Sequence, residues 1–338
     1  MTWLTWRQLR AQLASVYGVV AALAVVLAVT GPRLARLTGE TLYDQLKPSD
    51  LRLFWVGVVV LGVAPAVVGA FWGAPLVARE LEAGTHRLVW NQSVTRRRWL
   101  AAKTGSTLLA AVVGIGALSL AITWWSDPIN GALGTARGSL PARLPPVAFG
   151  MRALDPVAMT VFAVSVGVLL GVLLRRTLPA MALTIAVVAF AQIALPLWVR
   201  PHLLPATEQT VTVSRETLDG ISGSPHSPDI TLTVRTPHRG DWVLSQGSVD
   251  LAGHAKALPA WFATCVAPPA GAEPGVRKTE APDITACFTR LTAEGYRQHL
   301  TFQPASRFWP LQWVESGLLL VLSGVLLGLA FWRTRSLA

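Results

Sequence analysis

The chain has 338 residues, of which 52% are hydrophobic and 14% charged, and its mean hydropathy is +0.47. Soluble domains carry charge on about a quarter of their residues, so this composition excludes the ordinary soluble class and points to a polytopic membrane protein. The net charge of +11 raises nucleic acid as a partner. Its placement argues against that: Arg7, Arg10, the basic residues between 79 and 103, Arg175, Arg176, Arg333 and Arg335 border apolar runs on one predicted side. The excess is a topology signal, not a groove for phosphates.

Residues 1–13 place Trp3, Trp6, Leu9 and Leu13 at helical spacing with Arg7 and Arg10 between them, the pattern of an interfacial amphipathic helix. The apolar run from Ser15 to Gly31 follows. A basic start and an apolar run also describe a signal peptide, but the spans that follow favour an uncleaved first transmembrane helix. Gly31 to Arg52 is read as an outer loop, and Leu53 to Ala78, carrying Pro65 and Pro75, as the second span. Proline there frees a carbonyl and kinks the axis.

Arg79 to Lys103 is the longest charged, polar run in the first 200 residues and is closed on both sides by apolar segments long enough to cross a bilayer. Arg79, Arg87, Arg96, Arg97, Arg98 and Lys103 outnumber Glu80 and Glu82, which places this loop on the cytoplasmic side. The third span covers Leu108 to Trp125, and the Pro- and Gly-rich tract Ser126 to Asp155 lies outside. The fourth span, about Pro156 to Leu174, contains Gly167 and Gly171 as a GxxxG pair, read as close packing within the subunit. Arg175, Arg176 and Thr177 leave almost no loop before the fifth span, which Pro179 opens and which runs to about Val199.

Arg200 to Ser306 has a different composition. Thr210 to Ser214 and Ile230 to Val234 alternate polar and apolar β-branched residues as half-buried strands do, and Asp283 to Tyr296 reads as an amphipathic helix with Asp283 at its cap. A small mixed α/β domain of about 105 residues, large enough for a modest core, follows. The chain's two cysteines, Cys265 and Cys287, both fall in it. Their confinement to the one extracytoplasmic domain suggests a disulfide, the alternative being two buried free thiols. The sixth span runs from about Leu311 to Trp332. The fold expected is therefore an α-helical polytopic membrane protein with six transmembrane helices, an N-terminal interfacial helix and a small extracytoplasmic α/β domain, with both termini cytoplasmic.

The chain contains no GxxxxGK[ST], GxSxG or HExxH, and no paired-cysteine metal spacing. His202, His226, His238, His254 and His299 are scattered without ligand spacing and read as solvated or structural. Glu315 is the one ionisable residue clearly within a predicted span. Two roles are open to it: a structural one, pairing with Arg307 or capping a neighbour, or a place in a substrate path or gate. Gln192 in the fifth span is a weaker candidate of the same kind.

The central loop resembles the first cytoplasmic loop of ABC-2 type permeases, the type V ABC exporters. The resemblance rests on Glu80 and Glu82 before Gly84 and Thr85, then Gln92, Ser93, Val94 and Arg96, then Trp99 and Lys103. The stretch His299 to Glu315 looks like the approach to the last helix in actinobacterial members, and the six-span layout agrees. The resemblance implies a permease subunit of a bacterial plasma membrane exporter, working as a homo- or heterodimer with a separate ATP-binding subunit. That subunit would dock on the 79–103 loop, through Glu80, Glu82, Gly84, Thr85, Arg96, Arg97, Arg98, Trp99 and Lys103. It also implies that ATP and Mg are held by the partner, with no cofactor in this chain, which fits the missing phosphate loop. The alternative reading is a membrane-anchored receptor or sensor working through the Arg200 to Ser306 domain.

Overall fold

A computed structural model describes residues 2–36, 47–84, 95–132, 146–222, 230–238, 240–266 and 284–335. In chain order the elements are α1 (Thr2–Ala35), α2 (Pro48–Glu82), α3 (Arg96–Ala132), α4 (Asp155–Leu174) and α5 (Thr177–Leu203). There follow β1 (Thr207–Val211), β2 (Leu218–Ser222), β3 (Thr231–Val234), β4 (Trp242–Val249), α6 (Ala260–Val266), α7 (Ile284–Ala293), β5 (Arg297–Gln303) and α8 (Phe308–Arg335). They divide into two compact units, Met1–Leu204 with Arg307–Ala338, and Pro205–Ser306.

Among the described residues, the first unit holds six helices long and apolar enough to cross a bilayer. The protein is a polytopic membrane protein. Helix α4 is its hub, packing against α2, α3, α5 and α8. Its buried face includes Ala163, Val164, Gly167, Val168 and Gly171, small enough to let neighbouring backbones close in where packing, not water exclusion, drives helix association. Leu178, Phe190, Ile193, Leu197 and Trp198 of α5 are exposed, as expected of a surface solvated by lipid.

The crossing of α2 over α4 is built from glycine on both sides. A Cβ added to Gly167 would lie 2.5 Å from the Gly69 carbonyl oxygen, and one added to Gly171 would lie 2.6 Å from that of Ala74. The GxxxG pair thus packs within the chain, Gly167 against Gly69 and Gly73 and Gly171 against Ala74 and Ala78. At this point α2 widens into a π turn, Gly69–Gly73. Helix α5 does the same at Leu195–Val199, around Pro196, which has no N–H to give the helix.

Several expectations change. The amphipathic start and the first span form one unbroken helix, Thr2–Ala35: no Gly or Pro separates residues 11–15, and extending a helix costs less than nucleating a second. Most of the described residues of the predicted loop 79–103 are helical: 79–82 and 96–103. Helix α2 continues through Glu82 and stops at Gly84, whose φ of 70° ends the helical path. Helix α3 begins at Arg96, and residues 85–94, with Thr85, Gln92, Ser93 and Val94, lie outside the described residues. Helix α5 runs four residues past Val199, so Arg200 belongs to the membrane unit.

The second unit contains an antiparallel sheet of order β1-β5-β4 and a β2-β3 hairpin. Its core gathers Val213, Leu232, Phe262, Phe288, Leu291 and Tyr296. Cys265 and Cys287 are joined in a disulfide between α6 and α7, with Cα atoms 6.2 Å apart. Asp283, the expected cap of α7, lies outside the described residues. Strands β4 and β5 were not expected from the sequence. In β5, Gln298, Leu300 and Phe302 alternate onto the buried face.

Candidate functional site

Two polar constellations stand at opposite ends of the helical unit. At the end where α2 stops and α3 starts, the Glu80 carboxylate pairs with the ammonium of Lys103, tying the two helices together. The Lys103 ammonium also lies 5.0 Å from the centre of the Trp99 ring, and Trp99 is buried beneath it. Glu82 reaches a third helix: its Oε2 accepts the Thr177 backbone N–H at 2.9 Å and the Thr177 hydroxyl at 2.7 Å. The carboxylate therefore caps α5 from outside the helix, at the end where the helix dipole favours an anion. The α4–α5 turn that presents this N-terminus is made by Arg175 in the left-handed region, φ 53°, and Arg176 in extended conformation.

Of the residues expected to meet a partner, Glu80 and Glu82 are thus engaged inside the chain, and Trp99 and Lys103 are buried. Arg97 and Arg98 are exposed, Arg96 is half-buried, and the Thr95 hydroxyl accepts the Arg98 N–H at 3.3 Å at the start of α3. Among the described residues near this end, Arg79, Arg97, Arg98, Arg175 and Arg176 are exposed, against the exposed Glu82.

At the other end the geometry turns on Glu315. Its oxygens accept from Arg200 Nε at 2.7 Å and Arg200 Nη2 at 2.8 Å, and both side chains are at most 2% exposed. The expected partner, Arg307, is not the one used here. Phe149 lies beneath the guanidinium, 4.1 Å from ring centre to Cζ, and stands edge-on to Phe308. Gln312, one turn before Ser316, accepts the N–H groups of Leu154 and Asp155 at 3.1 and 3.0 Å and donates to the Phe149 carbonyl at 3.2 Å. An amide from α8 thereby caps α4 and fixes the loop before it.

Asp155, at the first position of α4, is 3% exposed. It shares a small cleft with Arg200, Glu315 and Gln192, walled by Pro65, Met159 and Pro196. Gln192 donates to the Gly62 carbonyl at 2.7 Å, linking α5 to α2. The cleft thus brings together both residues flagged in the spans, Glu315 and Gln192, and adds two that were missed, Arg200 and Asp155. Exposed indoles ring the same end at Trp55, Trp124, Trp198, Trp309 and Trp313, the side chain that favours the membrane–water boundary.

Residues 17–200, more than half of the chain, match the ABC-2 membrane transporter related family. The chain belongs to that family. The match covers α2 to α4 and all but the last residues of α5, so both polar ends fall largely inside it; α8 with Glu315 lies beyond. No curated protein and no solved structure matches the chain. As a member of the ABC-2 membrane transporter related family, the protein is a membrane permease component of an ABC transporter. The family itself implies a partner that binds ATP.

Proposed function

We propose that this chain is the membrane-spanning subunit of an ABC exporter in a bacterial plasma membrane, paired with a second permease copy and driven by separate ATP-binding subunits. Both termini and the end bearing Arg96 to Arg98 face the cytoplasm, and the Pro205–Ser306 unit lies outside. ATP and Mg are held by the partner. The observation that carries the reading is the bracing at the basic end. Glu80 joins α2 to α3 and Glu82 joins α2 to α5, so a push on the exposed Arg97 and Arg98 face is shared by three spans. The glycine crossing then couples α2 rigidly to the central α4.

In this arrangement the division of labour within the 79–103 segment differs from a simple docking loop. Glu80, Glu82 and Lys103 act as internal braces, while Arg97 and Arg98 meet the partner, whose docking surface is complementary and acidic. Co-expression with an ATP-binding partner subunit tests it. Reversal at Arg97→Glu with Arg98→Glu lowers the co-purified ATPase at least about fivefold, because like charges then face each other across the contact. The variant still elutes as a single species, since neither side chain is buried. Undiminished co-purification and ATP hydrolysis in that double variant overturn the docking assignment.

A further inference from the structure

Among the described residues, the cleft bounded by α2, α4, α5 and α8 is lined by two carboxyl groups, Asp155 and Glu315, and one guanidinium, Arg200. Glu315 spends both oxygens on Arg200. Asp155 is also buried, and its Oδ1 has no hydrogen-bond partner among the described residues. Its backbone N–H is satisfied by Gln312, so the vacancy belongs to the side chain alone. Arg200 and Glu315 line the same cleft as the Asp155 carboxyl group. Arg152, three residues earlier, lays its guanidinium over the Phe54 ring instead. Two carboxylates therefore share one guanidinium. A buried, unpaired carboxylate is costly anywhere and more so between membrane helices, where such groups mark ligand or ion sites.

The chemistry of the missing partner can be read from the walls. It brings one positive charge and at least one hydrogen-bond donor for Oδ1. An anion is repelled by the net charge. A hard divalent cation needs some six oxygen ligands, and the cleft offers one free carboxylate oxygen beside the Gln192 amide. The remaining lining is apolar and deformable: Met151 and Met159 present thioethers, which adapt to varied shapes, and Leu195 with the prolines completes the wall. The enclosed space is small, about 30 Å³, room for an ammonium head, and the cleft opens at a mouth through which an apolar body would pass.

We propose that this cleft binds the ammonium head of a small apolar amine, with Asp155 as the counter-ion and Met151, Met159 and Leu195 holding the apolar body. Arg200 and Glu315 position the site: their mutual pairing keeps the guanidinium from turning to Asp155 and leaves Oδ1 open. The inference deepens the permease reading by giving the class of cargo it would accept. Binding itself needs no ATP-binding subunit, so loss of docking and loss of amine binding are separate failures.

The experiment uses the full chain in lipid nanodiscs and radiolabelled octylammonium, with empty nanodiscs as the blank and octanol as the neutral competitor. The expected result is a saturable component, displaced by unlabelled octylammonium and not by octanol. Asp155→Asn weakens it at least about tenfold, the loss expected when a hydrogen bond to a charged group is removed. If that variant does not fold, the competition pattern of the unmodified chain decides alone. Uptake that does not saturate beyond empty nanodiscs, or that octanol displaces equally, overturns the proposal. So does unchanged affinity in a well-folded Asp155→Asn chain. An infrared band of a protonated carboxylic acid that vanishes in Asp155→Asn, without saturable amine binding, assigns the vacancy to a proton and also overturns it.

Discussion

Arg200 and Glu315 show how differently two members of one ion pair can read in a sequence. Glu315 stands out because it interrupts an apolar span. Arg200 follows Trp198 and precedes a long polar segment, so its position suggests the start of an outer domain, and nothing local reveals that α5 carries it back over Phe149. Asp155 is hidden for another reason: an acid just before a proline at a helix start is the ordinary cap, and a cap carries no mark of burial. Pairing of this kind has a testable energetic signature. Removing one partner strands a buried charge, so Arg200→Met or Glu315→Met alone costs about 3–5 kcal/mol, whereas replacing both by Met costs much less than the sum. Thermal unfolding of the detergent-solubilised variants measures the coupling. Strict additivity would mean that the two side chains act independently.

Helix boundaries follow from which residue cannot continue the helix, and that decided the central segment. Charges between 79 and 82 mark the membrane surface but do not end α2; Gly84 does. The GxxxG spacing in α4 was legible, and so, as letters, was the matching Gly69 and Gly73 in α2. Their mutual packing was not, because small-residue spacing names a face and never its partner. The π turn at that crossing has no sequence signature beyond its glycines and nearby prolines. The crossing predicts a sharp contrast among glycines. Gly167→Ala places a Cβ against the Gly69 carbonyl and the α2 backbone, neither of which can swing aside, and destabilises the protein by about 1–3 kcal/mol. Gly317→Ala and Gly324→Ala in α8 have open space around the new methyl and gain about 0.5–1 kcal/mol from the lower entropy of the unfolded helix. Melting temperatures of the three variants in one detergent give the comparison, and an equal response from all three would refute a backbone-limited crossing.

For the molecule as a whole, number of spans, class and the presence of a second unit were readable because they rest on length and periodicity. The three-stranded order β1-β5-β4 was not, since β5 pairs with strands from about 50 to 90 residues earlier and no local pattern encodes such a register. The proposed orientation rests on charge: in the helical unit the exposed Arg79, Arg97, Arg98, Arg175, Arg176, Arg333 and Arg335 outweigh the exposed Arg36 and Arg52 at the other end, and the disulfide lies in the unit inserted between α5 and α8. An oxidised pair persists outside the cytoplasm, where thiol reductants do not reach it. If the proposed orientation is right, a membrane-impermeant phosphine added to intact cells reduces Cys265–Cys287, and both thiols then take up maleimide–polyethylene glycol as a shift on a gel. A pair that stays protected until the membrane is broken would invert the orientation. Breaking the 22-residue link by Cys265→Ser with Cys287→Ser loosens the unfolded chain and costs about 3 kcal/mol. That cost falls on the core of Phe262, Phe288 and Leu291, since the helical unit has a hydrophobic core of its own around Leu61, Leu100 and Val168. Hydrogen exchange of the full chain should therefore quicken across β1, α7 and β5 while α4 keeps its protection. Quickening in α4 as well would show that the two units unfold as one.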